Sequence, residues 1–565
     1  MAGAERKADE GCPVEMLAGR CGRPIHHAPV ADETPVCLMH SDDPKKSEKA
    51  FQQEFEQILN VGMGRADFTG FVFVNSPYHQ HEFAAQCCFR NARFTQDADF
   101  GSARFTQVAD FSRATFRQRA YFGGATFAEP ADFQRATFTE DADFGYATFM
   151  RNADFGLAMF TQAADFSGAR FAEDAKFFGA TFTQAAHFTN ATFTQEANFL
   201  GARFTQKAYF HSTTFTRKAN FAGTRFMQET LFEFARFMEV AYFWRTTFER
   251  IARFDYALIA EAVEFKDTEF QKDDNLEPGP TFVETKFRRP EEVTFYNTRL
   301  EQALLHRCDV SRVNFSNVFW RRRPNGKRMV FDEVVDLKHG AAWDLRAVEG
   351  DPDRRNYRLI AELYQQLKKN YDDRRDYWTA GDFHYGEMEM KRLALAPAGR
   401  ILRRVGSIIG ASRLDASRRW LHQKLGLVAF YKYASAYGES YVRPALCLLL
   451  VLLVSAALYP VAGLRYDVTR DRAAVVAPGR PAAQTAGPLL TYWHPLWGSG
   501  DKRPWPRLAL WGNSLMSTLN VAIFRKDLTY EPRYPWGDVL ALAEQILTST
   551  LVALFLLAVR RQFKR

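Results

Sequence analysis

Three thiols and one imidazole stand near the N-terminus: Cys12, Cys21, Cys37 and His40. Two residues separate Cys37 from His40, a spacing that lets both side chains reach one ion. Three thiolates and one imidazole fill a tetrahedral zinc site and leave no open position for catalysis. The competing reading is three unrelated thiols, and His26 and His27 are rival ligands. The segment is too short to bury a core, so a bound metal is expected to order it. The expected cofactor is structural zinc.

Other chemistry is sparse. Seven cysteines are an odd count without framework spacing, which argues against a secreted disulfide scaffold. No phosphate loop, dinucleotide fingerprint or nucleophile elbow is present. His79, His81 and Glu82 have no nucleophile beside them, and His384 and Glu387 have no further ligand nearby. The chain is therefore expected not to be an enzyme. Near the C-terminus, Asn513, Ser517 and Asn520 share one helix face, and Glu544 sits in an apolar run. These four are the pore-like candidates, because an intramembrane acid is functional by default. The bland reading of Glu544 is a carboxylate snorkelling to the interface.

The elements that carry these residues follow from pattern. Asp43 is expected to cap a short helix, with Pro44 in its first turn and Phe51, Phe55 and Leu59 on one face. That helix should cover whatever follows. From Phe83 to Phe270, Phe recurs at alternating steps of six and five: Phe94, Phe100, Phe105, Phe111, Phe116, Phe122, Phe127, Phe133, Phe138 and Phe144, and onward. The residue two positions before each Phe is usually Ala, as at Ala98, Ala103, Ala109 and Ala114. A mean period of 5.5 leaves no stripe on a 3.6-residue helix, whereas Ala in, polar out, Phe in, then a corner is strand alternation. A short strand that turns again and again in register is a solenoid. Two eleven-residue units make a four-sided coil of 22 residues, filled by Phe, so its interior is no pocket. After an expected loop at Gln271 to Pro280, the step becomes a strict five at Leu300, Leu305, Val310, Phe315 and Trp320.

The outward column begins acidic with Asp99, Asp110, Asp132, Asp143, Asp154 and Asp165. It changes at Lys176 and His187, while Arg203, Lys207, Arg217, Lys218 and Arg225 populate the second half. It is either a solvated face or a charge-polarised docking surface. This chain resembles the pentapeptide-repeat family, whose units read A(D/N)(L/F)xx. The resemblance implies a right-handed four-sided β-helix over residues 64–322, here with an eleven-residue double repeat. Some members of that family mimic DNA and protect topoisomerases, which requires a strongly acidic rod. Between Phe83 and Phe270 there are 22 acidic and 20 basic residues, so no nucleic-acid-related role is expected.

Residues 353–393 read as two helices around a turn at Asp372 to Asp376, with Tyr357, Ile360, Tyr364, Leu367 and Tyr371 on one face. The pair resembles one tetratricopeptide-type hairpin and serves as a connector packed on the last coil. Arg400 to Arg443 is basic and aromatic, as expected of a helix lying on an anionic membrane face. Residues 444–464 and 539–559 are long and apolar enough to span a bilayer. Trp493, Trp497, Trp505, Trp511, Tyr530, Tyr534 and Trp536 between them suit a membrane–water interface. Residues 508–524 are shorter and more polar, as in a re-entrant or interfacial helix. The layout resembles two-span cation channels, but Asn520 to Arg525 replaces the expected glycine-rich filter.

The organisation expected is a zinc module at 1–42, a capping helix at 43–63, the β-helix at 64–322, connector and juxtamembrane segment at 323–442, and a membrane module at 443–565. With no apolar signal segment at the start, and bases flanking both spans, both termini are expected in the cytoplasm of a bacterial inner membrane. The expected role is a membrane-anchored scaffold whose β-helix docks an unidentified protein. A gated pore, which would require a homo-oligomer, is the alternative.

Overall fold

The computed structural model describes residues 11–16, 19–26, 35–61, 64–271, 278–334, 357–394, 424, 426–462, 464–466, 514–515, 517–523, 530–532 and 535–563. Asn513, His27, residues 400–423 and the tryptophans at 493, 497, 505 and 511 lie outside these. The chain divides into two compact units, 1–370 and 371–565.

The first unit is a β-solenoid. Four parallel sheets of 10, 12, 10 and 10 strands form its sides. Pairing joins residues 22 apart, as in Phe105 with Phe127 and Ala109 with Ala131. Two eleven-residue units therefore close one four-sided coil. Every Phe from Phe94 to Phe144 named above is buried, and so is the Ala preceding it. Rings stack coil on coil: Phe105 lies 4.8 Å from Phe127, with planes 1° apart. Within a coil the rings meet edge to face, as Phe105 and Phe111 do at 5.8 Å and 85°. That stacking distance equals the strand spacing, so one ring per strand fills the interior without gaps. Each ring buries roughly 150–250 Å², which bounds its contribution at about 4–6 kcal/mol.

The alternation of five and six residues produces two kinds of corner. In the five-residue step, the residue two after the outward Asp or Asn lends its amide to that side chain. Examples are Gly101 to Asp99 at 2.9 Å, Gly145 to Asp143 at 2.8 Å and Leu200 to Asn198 at 3.0 Å. The next residue takes a left-handed conformation, as at Ser102, Tyr146, Gly168 and Gly223. The six-residue step needs no such residue. Where the inward small residue becomes Thr, its hydroxyl finds a carbonyl: Thr224 Oγ1 donates to Phe199 O at 2.7 Å, and Thr246 to Phe221 O at 2.8 Å.

The rod's two ends depart from the 22-residue register. Residues 272–277 lie outside the described set, but Pro280–Thr281 is a strand pairing with Ala252 and Arg253, so the loop is shorter than expected. The strict five-residue stretch makes a 20-residue coil, with Thr294 opposite Asn314. Leu300, Leu305, Val310, Phe315 and Trp320 fill it, while Val318 is only half buried. At the N-terminal end lies α1 (Glu48–Val61). Its cap is Ser47, not Asp43: Ser47 Oγ accepts the Ala50 amide at 3.2 Å. Asp43 instead accepts the Lys45 amide at 2.9 Å, forming the turn ahead of the helix. Phe51 and Phe55 are buried against Phe68, Phe71, Phe73 and Tyr78, whereas Leu59 is half buried because it lies beyond the coil's rim.

At the other end, α2 (Tyr357–Asp373) docks on the last coil. Gln366 Oε1 accepts the Val310 amide at 2.9 Å, and Asn370 Nδ2 donates to Val310 O at 2.9 Å and Val313 O at 2.7 Å.

In the second unit, α3 (Tyr377–Ala394) is capped by Asp376, which accepts the Thr379 amide at 3.0 Å. A short helix, α4 (Leu427–Ser435), precedes α5 (Val442–Ala462) and α6 (Pro535–Phe563). Both long helices are apolar enough to cross a membrane. Their ends are shifted from the sequence reading. Leu464 belongs to the strand Leu464–Tyr466, which pairs antiparallel with Tyr530–Pro532. Residues 517–523 are helical up to a closing turn at Ile523.

Candidate functional site

A β-hairpin brings the first two cysteines together. Glu15–Met16 pairs with Gly19–Arg20, and beyond it the Cys12 amide donates to Arg23 O at 2.8 Å and the Cys21 amide to Val14 O at 2.8 Å. The loose spacing from Cys12 to Cys21 is thus the length of one hairpin. A turn supplies the other pair, with the His40 amide donating to Cys37 O at 3.0 Å. The four ligand atoms lie within 4.8 Å of one another. Cys21 Sγ is 3.8 Å from Cys37 Sγ, and His40 Nδ1 is 3.4 Å from Cys12 Sγ and 3.1 Å from Cys37 Sγ.

These distances suit a metal. Tetrahedral zinc with Zn–S of ~2.3 Å and Zn–N of ~2.0 Å separates sulfurs by roughly 3.8 Å and sulfur from nitrogen by roughly 3.5 Å. The outer shell agrees: His40 Nε2 faces Thr69 O at 3.0 Å, which fixes the tautomer that leaves Nδ1 free to ligate. The Cys37 thiol, as hydrogen-bond donor, draws the Cys21 thiol below its ordinary range, and Arg23 Nη1 lies 3.4 Å from its sulfur. His26 pairs with Asp43 at 3.5 Å and stands outside the group.

The site is built into the first coil. Met39 O accepts the Val72 amide at 2.8 Å, and the Phe71 ring meets His40 edge-on at 5.0 Å. Gly70, at φ 72°, comes so close that an added Cβ would lie 3.4 Å from the imidazole. Buried Lys46 donates to Leu38 O, Ser41 O and Val72 O, at 3.1, 2.9 and 2.6 Å. Thr69, Arg23 and Lys46 carry no ligand signature in sequence, and only the fold places them.

The outward charges are largely used by the solenoid itself. Asp99, Asp110, Asp132, Asp143, Asp154 and Asp165 each cap a corner amide. They stand in two columns, not one, because alternate units lie on opposite faces. The later bases pair with acids mostly one coil away: Lys207 with Glu229 at 3.1 Å, Lys218 with Glu196 at 3.1 Å, and Arg217 with Glu239. His79 contacts Asp99 at 3.4 Å, and His81 packs edge-on against Phe83.

In the second unit, Glu544 is 1% exposed and accepts a hydrogen bond from Tyr459 of α5 at 2.8 Å. Ser514, Ser517 and Thr518 are buried, and Asn520 is half buried. Near the other end of α6, Arg561 Nη1 donates to Tyr437 O at 2.8 Å and approaches Glu439 at 3.3 Å. Tyr437 OH donates to Glu389 at 2.9 Å, which also binds Arg392 and, at 2.9 Å, Lys432. Burial works against ionisation of Glu389, but these two cations hold its carboxyl down at about 2.

The architecture is that of a four-sided repeat solenoid. Residues 89–134, 111–159, 122–170 and 157–203 match the family model for pentapeptide repeats (9 copies). The solenoid therefore carries pentapeptide repeats. No curated protein and no solved structure matches the chain.

Proposed function

We propose that this protein is a membrane-anchored scaffold, with a cytosolic β-helix that docks a protein and an α5–α6 hairpin that holds it in a bacterial inner membrane. The observation that carries this reading is the outward surface of the hairpin. Leu446, Leu449, Leu450 and Leu453 on α5 and Val539, Leu542, Ile546 and Leu556 on α6 are all exposed. An apolar surface of that extent has no place in water and suits hydrocarbon. The contacts Tyr459–Glu544 and Tyr437–Arg561 make the helices antiparallel. Residues 544 and 561 are 17 positions apart, about 26 Å along a helix, close to the hydrocarbon thickness of ~30 Å. The start of α5 and the end of α6 then lie on one side of the bilayer.

Zinc at Cys12, Cys21, Cys37 and His40 fits as a structural ion, since four protein ligands leave no site for substrate. The reading includes no catalytic step. Docking is assigned to exposed apolar corners such as Tyr146, Leu157, Phe234 and Tyr256. Alkaline carbonate extraction of membranes tests the anchor: the full chain should stay in the pellet, and its release would defeat the reading. A gated pore is the second reading, favoured by the buried hydroxyls of Ser514, Ser517 and Thr518 and by Glu544. Mass measurement in mild detergent separates the two, because a pore on a symmetry axis requires several copies.

A further inference from the structure

The helix α4 has an apolar face that the described residues leave exposed. Leu427, Phe430 and Tyr433 recur every third residue and are 88%, 37% and 54% exposed. Ala429, Ala434 and Ser435 of the same helix are buried. The helix packs against α5 and α6. Tyr441, Val442 and Leu446, where α5 begins, are exposed as well.

Cations near this end divide into two sets. Lys432 and Arg561 are engaged by Glu389 and Glu439. Lys424, Arg443 and Arg560 are exposed, and among the described residues no carboxylate lies within ion-pair distance of them. Bases around an apolar stripe at the end of a membrane hairpin complement an acidic lipid surface. We propose that α4 lies in the headgroup layer, with Leu427, Phe430 and Tyr433 in the acyl boundary and Lys424, Arg443 and Arg560 binding acidic phospholipid headgroups. This rests on the membrane reading above. It adds a lipid specificity that an apolar hairpin does not need.

The test uses the full chain in lipid nanodiscs of phosphatidylcholine, with or without phosphatidylglycerol. A benzophenone amino acid at position 430 should give a lipid adduct on irradiation, and one at buried position 429 should not. Native mass spectrometry should find phosphatidylglycerol retained, with retention falling roughly fivefold for each of K424Q, R443Q and R560Q. An adduct to protein at position 430, or equal retention of both lipids, would overturn the proposal. Carbonate extraction keeps the two readings apart. Release of the chain defeats the anchor and this inference together, whereas retention without a lipid adduct defeats this inference alone.

Discussion

Replacing Phe144 tests the solenoid's interior most directly. Its ring is fully buried and stacks on Phe122 and Phe166, each at 4.9 Å. It also meets Phe133 at 5.3 Å, Phe138 at 5.8 Å and Phe155 at 5.2 Å edge to face. Phe144→Ala should cost about 3–5 kcal/mol for the lost ring and the cavity left behind. The upper end is expected, because stacked neighbours pinned at the strand spacing cannot collapse inward. Phe144→Asp should cost more, since a carboxylate there meets only rings. The control is the adjacent Asp143→Asn. Asn keeps the Oδ1 that accepts the Gly145 amide at 2.8 Å, so the corner survives. Thermal unfolding of the full chain in mild detergent, followed by circular dichroism, reads all three variants. Asp143→Asn should match the parent while Phe144→Ala melts well below it. Equal shifts for the two, or a Phe144→Ala cost under about 1 kcal/mol, would refute the in–out assignment.

Three other outcomes are expected. Metal analysis of the reduced full chain should give about one zinc per chain, lost on Cys37→Ser, and a metal-free chain would rule the site out. Burial, and then the Asp165 charge, raise the Asp143 carboxyl; burial, and then Asp110 and Asp154, raise that of Asp132. A raised acid destabilises the fold above its folded pKa and relieves it as pH falls through that value. Acidification from neutral pH should therefore stabilise the parent relative to the double variant Asp132→Asn/Asp143→Asn, and parallel pH profiles would contradict the burial of these carboxyls. A fluorescent protein fused after Arg565 should fluoresce in cells, whereas activity of alkaline phosphatase at that position would place the tail outside and require an odd number of crossings.

The repeat was legible because one interaction recurs. A Phe every five or six residues states strand, corner, coil length and interior at once, and nothing distant is needed to interpret it. The Cys3His group was legible for a similar reason, since Cys and His types announce their chemistry. What escaped was the use of ordinary residues at a distance. Thr69 orients His40 through a backbone carbonyl, which no side-chain pattern encodes. Asp43 sits where a cap is expected, yet its carboxylate is satisfied one turn early and Ser47 takes the role. The charged column looked like a surface feature because hydrogen bonds from Asp to the amide two residues on are invisible in composition. Glu544 was visible as an acid in an apolar run, but its partner Tyr459 is 85 residues away.

A parallel β-helix has one weakness that its repeat cannot repair: each end presents four unpaired strand edges, ready to accept another chain. This protein closes the two ends differently. At the start, α1 lays Phe51 and Phe55 over the first rings, while the Cys3His module holds the backbone beside it through Met39, Lys46 and Thr69. At the finish, the buried Asp332 carboxylate accepts the Leu305 amide at 3.2 Å, and burial pushes that carboxyl up to about 7. Beside it, Tyr364 of α2 donates to Glu333 at 2.6 Å, and Arg323 pairs with the same carboxylate. Neither closure follows the five-residue rule, because an end needs polar groups that reach carbonyls and amides the next coil would otherwise have paired.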